Sequence, residues 1–253
     1  MTTATFSATD PLPTRIEGPV FGALRFVRLT SEFLWGVANI EVAGARHGEA
    51  AAKQEFAKAV GRLARTLGVE IIVDGEIDPD ADEIRVANHT SYLDIFVLGS
   101  LRTGRFLSRH DVGDWPLVGR VAKRIGTLFV DRDSTESRTE ALGALGKAAR
   151  NGALLVFPEG KTYKKPGAFK LGAFVVARAA KRPVRPIAMH WSDVEAAAWV
   201  DDMTLPPHLF ARLSGGYIRV RVQPLATLDP AGRPAAQVAR EARTAILTAL
   251  AAG

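Results

Sequence analysis

The spacing of apolar and polar positions divides the chain into segments of different kinds. Residues 19–42 are dense in large apolar side chains: Phe21, Leu24, Phe26, Val27, Leu29, Phe33, Leu34, Trp35, Val37 and Ile40. Arg25 and Arg28 sit among them and Arg15 just ahead. Such a stretch suits two arrangements, a helix lying in a lipid interface with its arginines on head groups, or a helix packed on a domain; periodicity does not separate them. A second helix is predicted over 49–67, with Phe56, Val60, Leu63 and Leu67 on one face, Lys53, Lys58, Arg62 and Arg65 elsewhere, and Gly68 as its stop. Beyond it the rhythm changes to short strand-like runs at 69–73, 84–87, 104–108, 127–130, 153–157, 184–190 and 217–222. Helical stretches stand between and after them, at 115–123, 133–150, 169–182 and 235–251, while 191–216 reads as irregular. Strands alternating with helices predict an α/β fold: a mostly parallel central sheet flanked by helices, behind an N-terminal helical, membrane-proximal segment.

Composition narrows this picture in three ways. The 253 residues include no cysteine, so disulfides and thiolate metal sites are excluded. A net charge of +6 attracts anionic partners, but the basic residues are spread without a polybasic tail, which argues against a nucleic-acid arm and leaves phosphorylated small molecules or anionic lipid. No uncharged run approaches the roughly 20 apolar residues of a spanning helix. The expected division is a disordered terminus over 1–14, a helical segment over 15–68 that either lies at a membrane interface or packs on the domain, and an α/β domain over 69–253. The location expected is cytoplasmic, peripheral on the inner face of the cell membrane.

Four segments carry chemistry. In Asn88-His89-Thr90-Ser91-Tyr92-Leu93-Asp94, a strand end precedes a helix, and the turn between them can bring His89 and Asp94 together. A carboxylate on one ring nitrogen leaves the other free to act as a base. No Gly-x-Ser-x-Gly elbow occurs in the chain, so the proton comes most simply from a substrate hydroxyl. In Gly126-Thr127-Leu128-Phe129-Val130-Asp131-Arg132, a strand delivers Arg132, a residue able to fork onto phosphate, to the sheet edge. Phe157-Pro158-Glu159-Gly160-Lys161-Thr162 ends like a P-loop, but Leu155 stands where that motif needs glycine and Glu159 puts a negative charge where phosphate would sit. What remains is a strand end presenting Glu159, Gly160 and Lys161 within a basic cluster. The fourth, Val184-Arg185-Pro186-Ile187-Ala188, places a proline within a strand. The other histidines show no metal-ligand spacing, and no metal site is expected.

In this order the four segments resemble the glycerolipid acyltransferases of the PlsC type, whose pattern is Asn-His-x4-Asp, Gly-x-x-Phe-x-x-Arg, Phe-Pro-Glu-Gly and a proline-centred strand. The resemblance covers residues 70–190 and includes Ser108-Arg109 and Trp115-Pro116-Leu117-Val118-Gly119 between the first two blocks. It implies that His89 takes the proton from a lysophospholipid hydroxyl attacking a fatty-acyl thioester, with Asp94 orienting the ring. Arg132, helped by Arg109, would hold the acceptor's phosphate, and Glu159 and Gly160 its glycerol portion. The co-substrate would be acyl-CoA or acyl carrier protein, with no other cofactor. Lys161, where the family has threonine, is an added cation favouring an anionic head group or the thioester carrier. The acceptor expected is 1-acylglycerol-3-phosphate, giving phosphatidic acid. A lyso-ornithine lipid is the alternative, and a non-catalytic basic membrane-binding domain the competing class.

Overall fold

The structure, a computed structural model, describes residue 12 and residues 15–130 and 152–252. The first helix, α1 (Pro19–Thr66), is two helices in one, broken where Gly48 takes φ 81° and ψ −175°. This is backbone that only glycine adopts readily, so the break expected between 42 and 49 has a single-residue cause. The inner half, 49–66, buries Ala52, Ala57, Ala59, Val60, Leu63 and Ala64. The outer half packs against it through small residues: a Cβ on Gly36 would stand 2.8 Å from the Cβ of Ala59. Its opposite stripe, Val20, Leu24, Val27, Leu34, Trp35 and Val42, faces outward, with Trp35 and Val27 each 65 % exposed.

The arginines of this helix do other work than the interfacial reading foresaw. Arg25 donates to the carbonyls of Leu213 and Ile16, and Arg15 to that of Thr66 while lying over the Tyr217 ring. Both tie the helix to the domain; Arg28 pairs with Glu32 along the helix.

Seven strands follow: β1 (Val69–Val73), β2 (Ile84–Ala87), β3 (Arg105–Arg109), β4 (Leu128–Val130), β5 (Leu154–Val156), β6 (Val184–Trp191) and β7 (Ile218–Pro224). They form one sheet in the order β1-β7-β6-β2-β5-β3-β4. Every pairing is parallel except β6 with β7. Five neighbouring strands therefore end on the same edge, while β7 and β1 run the other way. The register fixes which residues meet there: Val86 lies beside Val156 and Pro186, and Phe106 beside Leu155.

Helices cover both faces. With α2 (Leu93–Ser100) and α6 (Leu205–Ser214), α1 closes over a core containing Leu67, Val97, Leu98, Leu155, Met189 and Trp191. On the other face α4 (Gly172–Ala180) and α7 (Ala235–Ala251) pack Phe174, Val176, Val238 and Ala242 onto Ile84, Val86, Leu154 and Val184. This two-sided burial explains why β2 and β5 are apolar at nearly every position. The short helices α3 (Val118–Arg124) and α5 (Val194–Ala197) complete the chain order.

The stretch 191–216, expected to be irregular, contains α5 and α6. Pro206 and Pro207 begin α6 rather than interrupting helix, because first-turn N–H groups have no intrahelical partner to lose. The helix expected over 133–150 lies outside the described residues.

Candidate active site

The parallel strand ends set the site. β2 stops at Ala87, and Asn88 bolts that end to β6: its amide Nδ2 donates to the Met189 carbonyl at 3.0 Å and its Oδ1 accepts from the Met189 N–H at 2.8 Å. The chain then turns sharply into α2, and the turn brings His89 and Asp94 together, with Nδ1 of the ring 2.9 Å from Oδ2 of the carboxylate. The same oxygen accepts the N–H groups of Thr90 at 2.6 Å and Ser91 at 2.9 Å. Its partner oxygen, Oδ1, accepts the indole N–H of Trp191 at 3.0 Å. Asp94 has no exposed surface, and its burial is matched by these four donors and by its place in the first turn of α2.

His89 stacks on Phe157 at the end of β5, centroids 3.9 Å apart and planes 13° apart. Its carbonyl accepts the Tyr163 N–H at 2.8 Å. Nε2 has no partner among the described residues, and the side chain keeps 15 % of its surface. With Asp94 accepting from Nδ1–H, Nε2 is left with its lone pair free, as a base at this edge would require.

The Phe157–Thr162 loop passes directly beneath. Glu159 is 2 % exposed, and neither carboxylate oxygen finds a hydrogen-bond partner among the described residues. Burial pushes its carboxyl up to about 8; the Asp94 charge adds to the rise, while the backbone of His89 and the Arg243 guanidinium oppose it. Gly160 follows at φ 79°, its N–H closing a turn onto the Phe157 carbonyl. Thr162 donates to the Trp199 carbonyl at 2.6 Å, and the Trp199 N–H donates to Thr90 at 3.1 Å, so this loop and the His89 turn are bound through a third segment.

Lys161 points away, its Nζ 3.7 Å from Asp201 and 4.8 Å from the Tyr163 ring centroid. Arg109 ends β3 on the same sheet edge, exposed and forked onto Asp111 through Nε and Nη2. Arg132 lies outside the described residues. The structure thus brings His89, Asp94 and the Glu159–Gly160 turn together, and places Arg109 and Lys161 on the rim.

Two contributors were not among the candidate residues read from the sequence. Trp191 stands outside the four segments, because nothing in its neighbourhood reveals that the end of β6 faces the start of α2. Tyr92, inside the motif, makes a polar contact across to α6, its hydroxyl 3.2 Å from His208 Nδ1. Burial raises the Tyr92 phenol well above its ordinary value. Burial likewise lowers the His208 imidazole, with the Arg212 charge acting in the same direction.

The parallel sheet edge thus holds a hydrogen-bonded Asp–His pair beside a Pro-Glu-Gly turn, the arrangement expected of the acyl-transfer class. A model of the acyltransferase family matches residues 70–190. A lyso-ornithine lipid O-acyltransferase of Pseudomonas aeruginosa is 34 % identical over 198 residues, 76 % of each chain. A 1-acyl-sn-glycerol-3-phosphate acyltransferase of Neisseria meningitidis is 26 % identical over 69 % of this chain and 73 % of its own. The crystal structure of PlsC from Thermotoga maritima superposes with a TM-score of 0.71 at 18 % identity, over 92 % of this chain and 94 % of that one, which speaks for the fold. This chain belongs to the PlsC-type acyltransferase family, and it is an O-acyltransferase.

Proposed function

We propose that the protein transfers a fatty-acyl group from a thioester to the free hydroxyl of a lyso-ornithine lipid, with His89 as general base. The observation that carries the chemistry is the buried Asp94 carboxylate on His89 Nδ1 with Nε2 open at the sheet edge. Nε2 takes the hydroxyl proton as that oxygen attacks the thioester carbonyl. The tetrahedral oxyanion then collapses, the carbon–sulfur bond breaks, and the departing thiolate receives the proton from His89, leaving ester and free thiol. Asp94 holds the ring and stabilises its charged form, and no covalent acyl-enzyme is required. Juxtaposing the two substrates supplies much of the acceleration. Glu159 and Gly160 shape the wall against the acceptor's polar part. Lys161 and Arg109 supply positive charge on the rim for a head group or for the acidic carrier, acyl-CoA or acyl carrier protein, and Arg132, outside the described residues, is proposed from the sequence alone to hold the acceptor's anionic group.

The 34 % identity across three-quarters of both chains favours the ornithine acceptor, whose head group carries a carboxylate and an ammonium. A second reading, 1-acylglycerol-3-phosphate giving phosphatidic acid, keeps every step and is favoured by the relative from Neisseria and by the basic rim. Thiol release from an acyl thioester, measured with each lysolipid in turn, separates the two. The expected result is a kcat/KM at least about tenfold higher with lyso-ornithine lipid, equivalent to about 1.4 kcal/mol of transition-state discrimination. A reversed preference hands the assignment to the phosphate acceptor, and turnover retained by His89→Ala removes the base from the mechanism.

The acceptor is a membrane lipid, and the exposed stripe of α1 offers a way to meet it. Among the described residues no helix is long and apolar enough to cross a membrane. Val20, Leu24, Val27 and Trp35 lie on one side of the outer half of α1 and are exposed together. An apolar stripe of this extent on a lipid enzyme fits shallow insertion at a bilayer surface, giving a peripheral protein.

A further inference from the structure

Asp94 has two oxygens, and they are held differently. The three donors on Oδ2 are His89 Nδ1, Thr90 N and Ser91 N, all from the turn that carries His89 itself. Those bonds fix the carboxylate relative to its own loop. Among the described residues Oδ1 has a single donor, the indole N–H of Trp191, and that donor comes from β6. Asp94 is fully buried, so bulk water does not replace it.

The indole is itself firmly placed. Trp191 is 2 % exposed and packed in the core that includes Leu93, Val97 and Val220. Two residues earlier on the same strand, Met189 is clamped by both amide atoms of Asn88, the residue immediately before His89. The β2–β6 pairing therefore sets the indole at the carboxylate, and the indole sets the plane of the carboxylate at the imidazole.

We propose that Trp191 is a positioning residue of the acyl transfer, its N–H holding Asp94 Oδ1 so that Oδ2 stays aligned on His89 Nδ1. It acts through Asp94 and need not touch substrate. The role rests on His89 and Asp94 being the base pair. Without the N–H, a buried carboxylate oxygen is left unpaired, the carboxylate loses its hold from outside the turn, and its negative charge is more costly to maintain. The pair then captures a proton at higher pH.

Two replacements of the indole test this: Trp191→Phe, and 3-benzothienylalanine at position 191, which keeps the shape of tryptophan and lacks the N–H. Both are expected to lower kcat about 10- to 100-fold with KM for acceptor and donor within about threefold, the signature of a group acting in the transition state. The acid limb of the kcat/KM profile is expected to move to higher pH in both. The titratable groups that bear on Asp94 are His89 and Glu159, and both remain in each variant, so the difference from the parent isolates the indole bond. Phe also removes volume, so a fall in its melting temperature is expected, while the sulfur isostere should melt with the parent.

A folded isostere with parental kcat and an unmoved acid limb overturns the proposal. So does a loss confined to KM, and so does an isostere that fails to fold, since the bond would then serve the sheet and not the site. Failure of the base assignment is read separately, from turnover retained by His89→Ala.

Discussion

Glu159 presents the sharpest imbalance of any side chain near the site: a carboxyl almost without exposed surface, unpaired among the described residues, and shifted up to about 8. The folded protein holds a proton there that the unfolded chain releases around the ordinary carboxylate value of 4.5. Its contribution to stability is therefore complete below that value and is lost as pH rises through about 8. Urea midpoints measured from pH 5 to 9 should fall with rising pH in the parent and fall less in Glu159→Gln; parallel slopes would show that the carboxyl is not held neutral. At this scale the sequence showed part of the site. His89, Asp94 and Glu159 stand out because their spacing and strand-end positions are local properties of the chain. Trp191 does not, because its link to Asp94 runs between residues 97 apart and depends on strand pairing. Arg132, prominent in the sequence, lies outside the described residues and stays an expectation for the acceptor's anionic group.

Among the elements, α1 depends most on one backbone conformation. A Cβ on Gly48 would meet nothing within 4 Å, so any penalty for adding one comes from φ 81° and ψ −175° and not from crowding. Gly48→Ala should cost about 1–3 kcal/mol, a fall of roughly 3–10 °C in melting temperature for a chain of this size. An unchanged Tm would mean that the two halves straighten at no expense. The strands were legible from their apolar positions, nearly continuous in β5, where both faces are buried, and alternating with arginine in β7: β1 and β2 fall where the pattern placed them, and β5, β6 and β7 within two residues. The helix α6 was hidden inside a stretch that read as irregular, and it opens on adjacent prolines. At its start they fit, and the rest of the helix buries His208, Arg212 and Leu213 while Leu205 and Phe210 stay exposed.

For the molecule as a whole, the proposed catalytic site and the proposed lipid contact fall on different surfaces, the sheet edge and the outer stripe of α1. If the stripe meets the bilayer, Leu24→Glu with Val27→Glu should lower binding to anionic vesicles at least about tenfold in a sedimentation assay, since two side chains that are 63 % and 65 % exposed lose their apolar contact. Circular dichroism should match the parent, because neither side chain is buried. Undiminished vesicle binding would move the contact elsewhere. The sequence left this helix open between lipid and protein packing, and the structure accounts for that ambiguity: one stripe packs on the inner half and the other stays exposed.

The sheet order also bears on how the chain is made. β1 is the first strand to leave the ribosome, yet its hydrogen-bonding neighbour is β7, the last strand of the sheet. Until residues 218–224 have been synthesised, β1 has no strand to pair with, although α1, joined to it by Leu67 and Gly68, can already pack on α2. The arginine anchors reinforce the delay, since Arg25 needs the Leu213 carbonyl and Arg15 the Tyr217 ring. The outer half of α1 therefore gains these two anchors only as the last strand of the sheet is made. Pulse-labelled hydrogen exchange during refolding should find the β1 amides protected late, after those of β2 and β5.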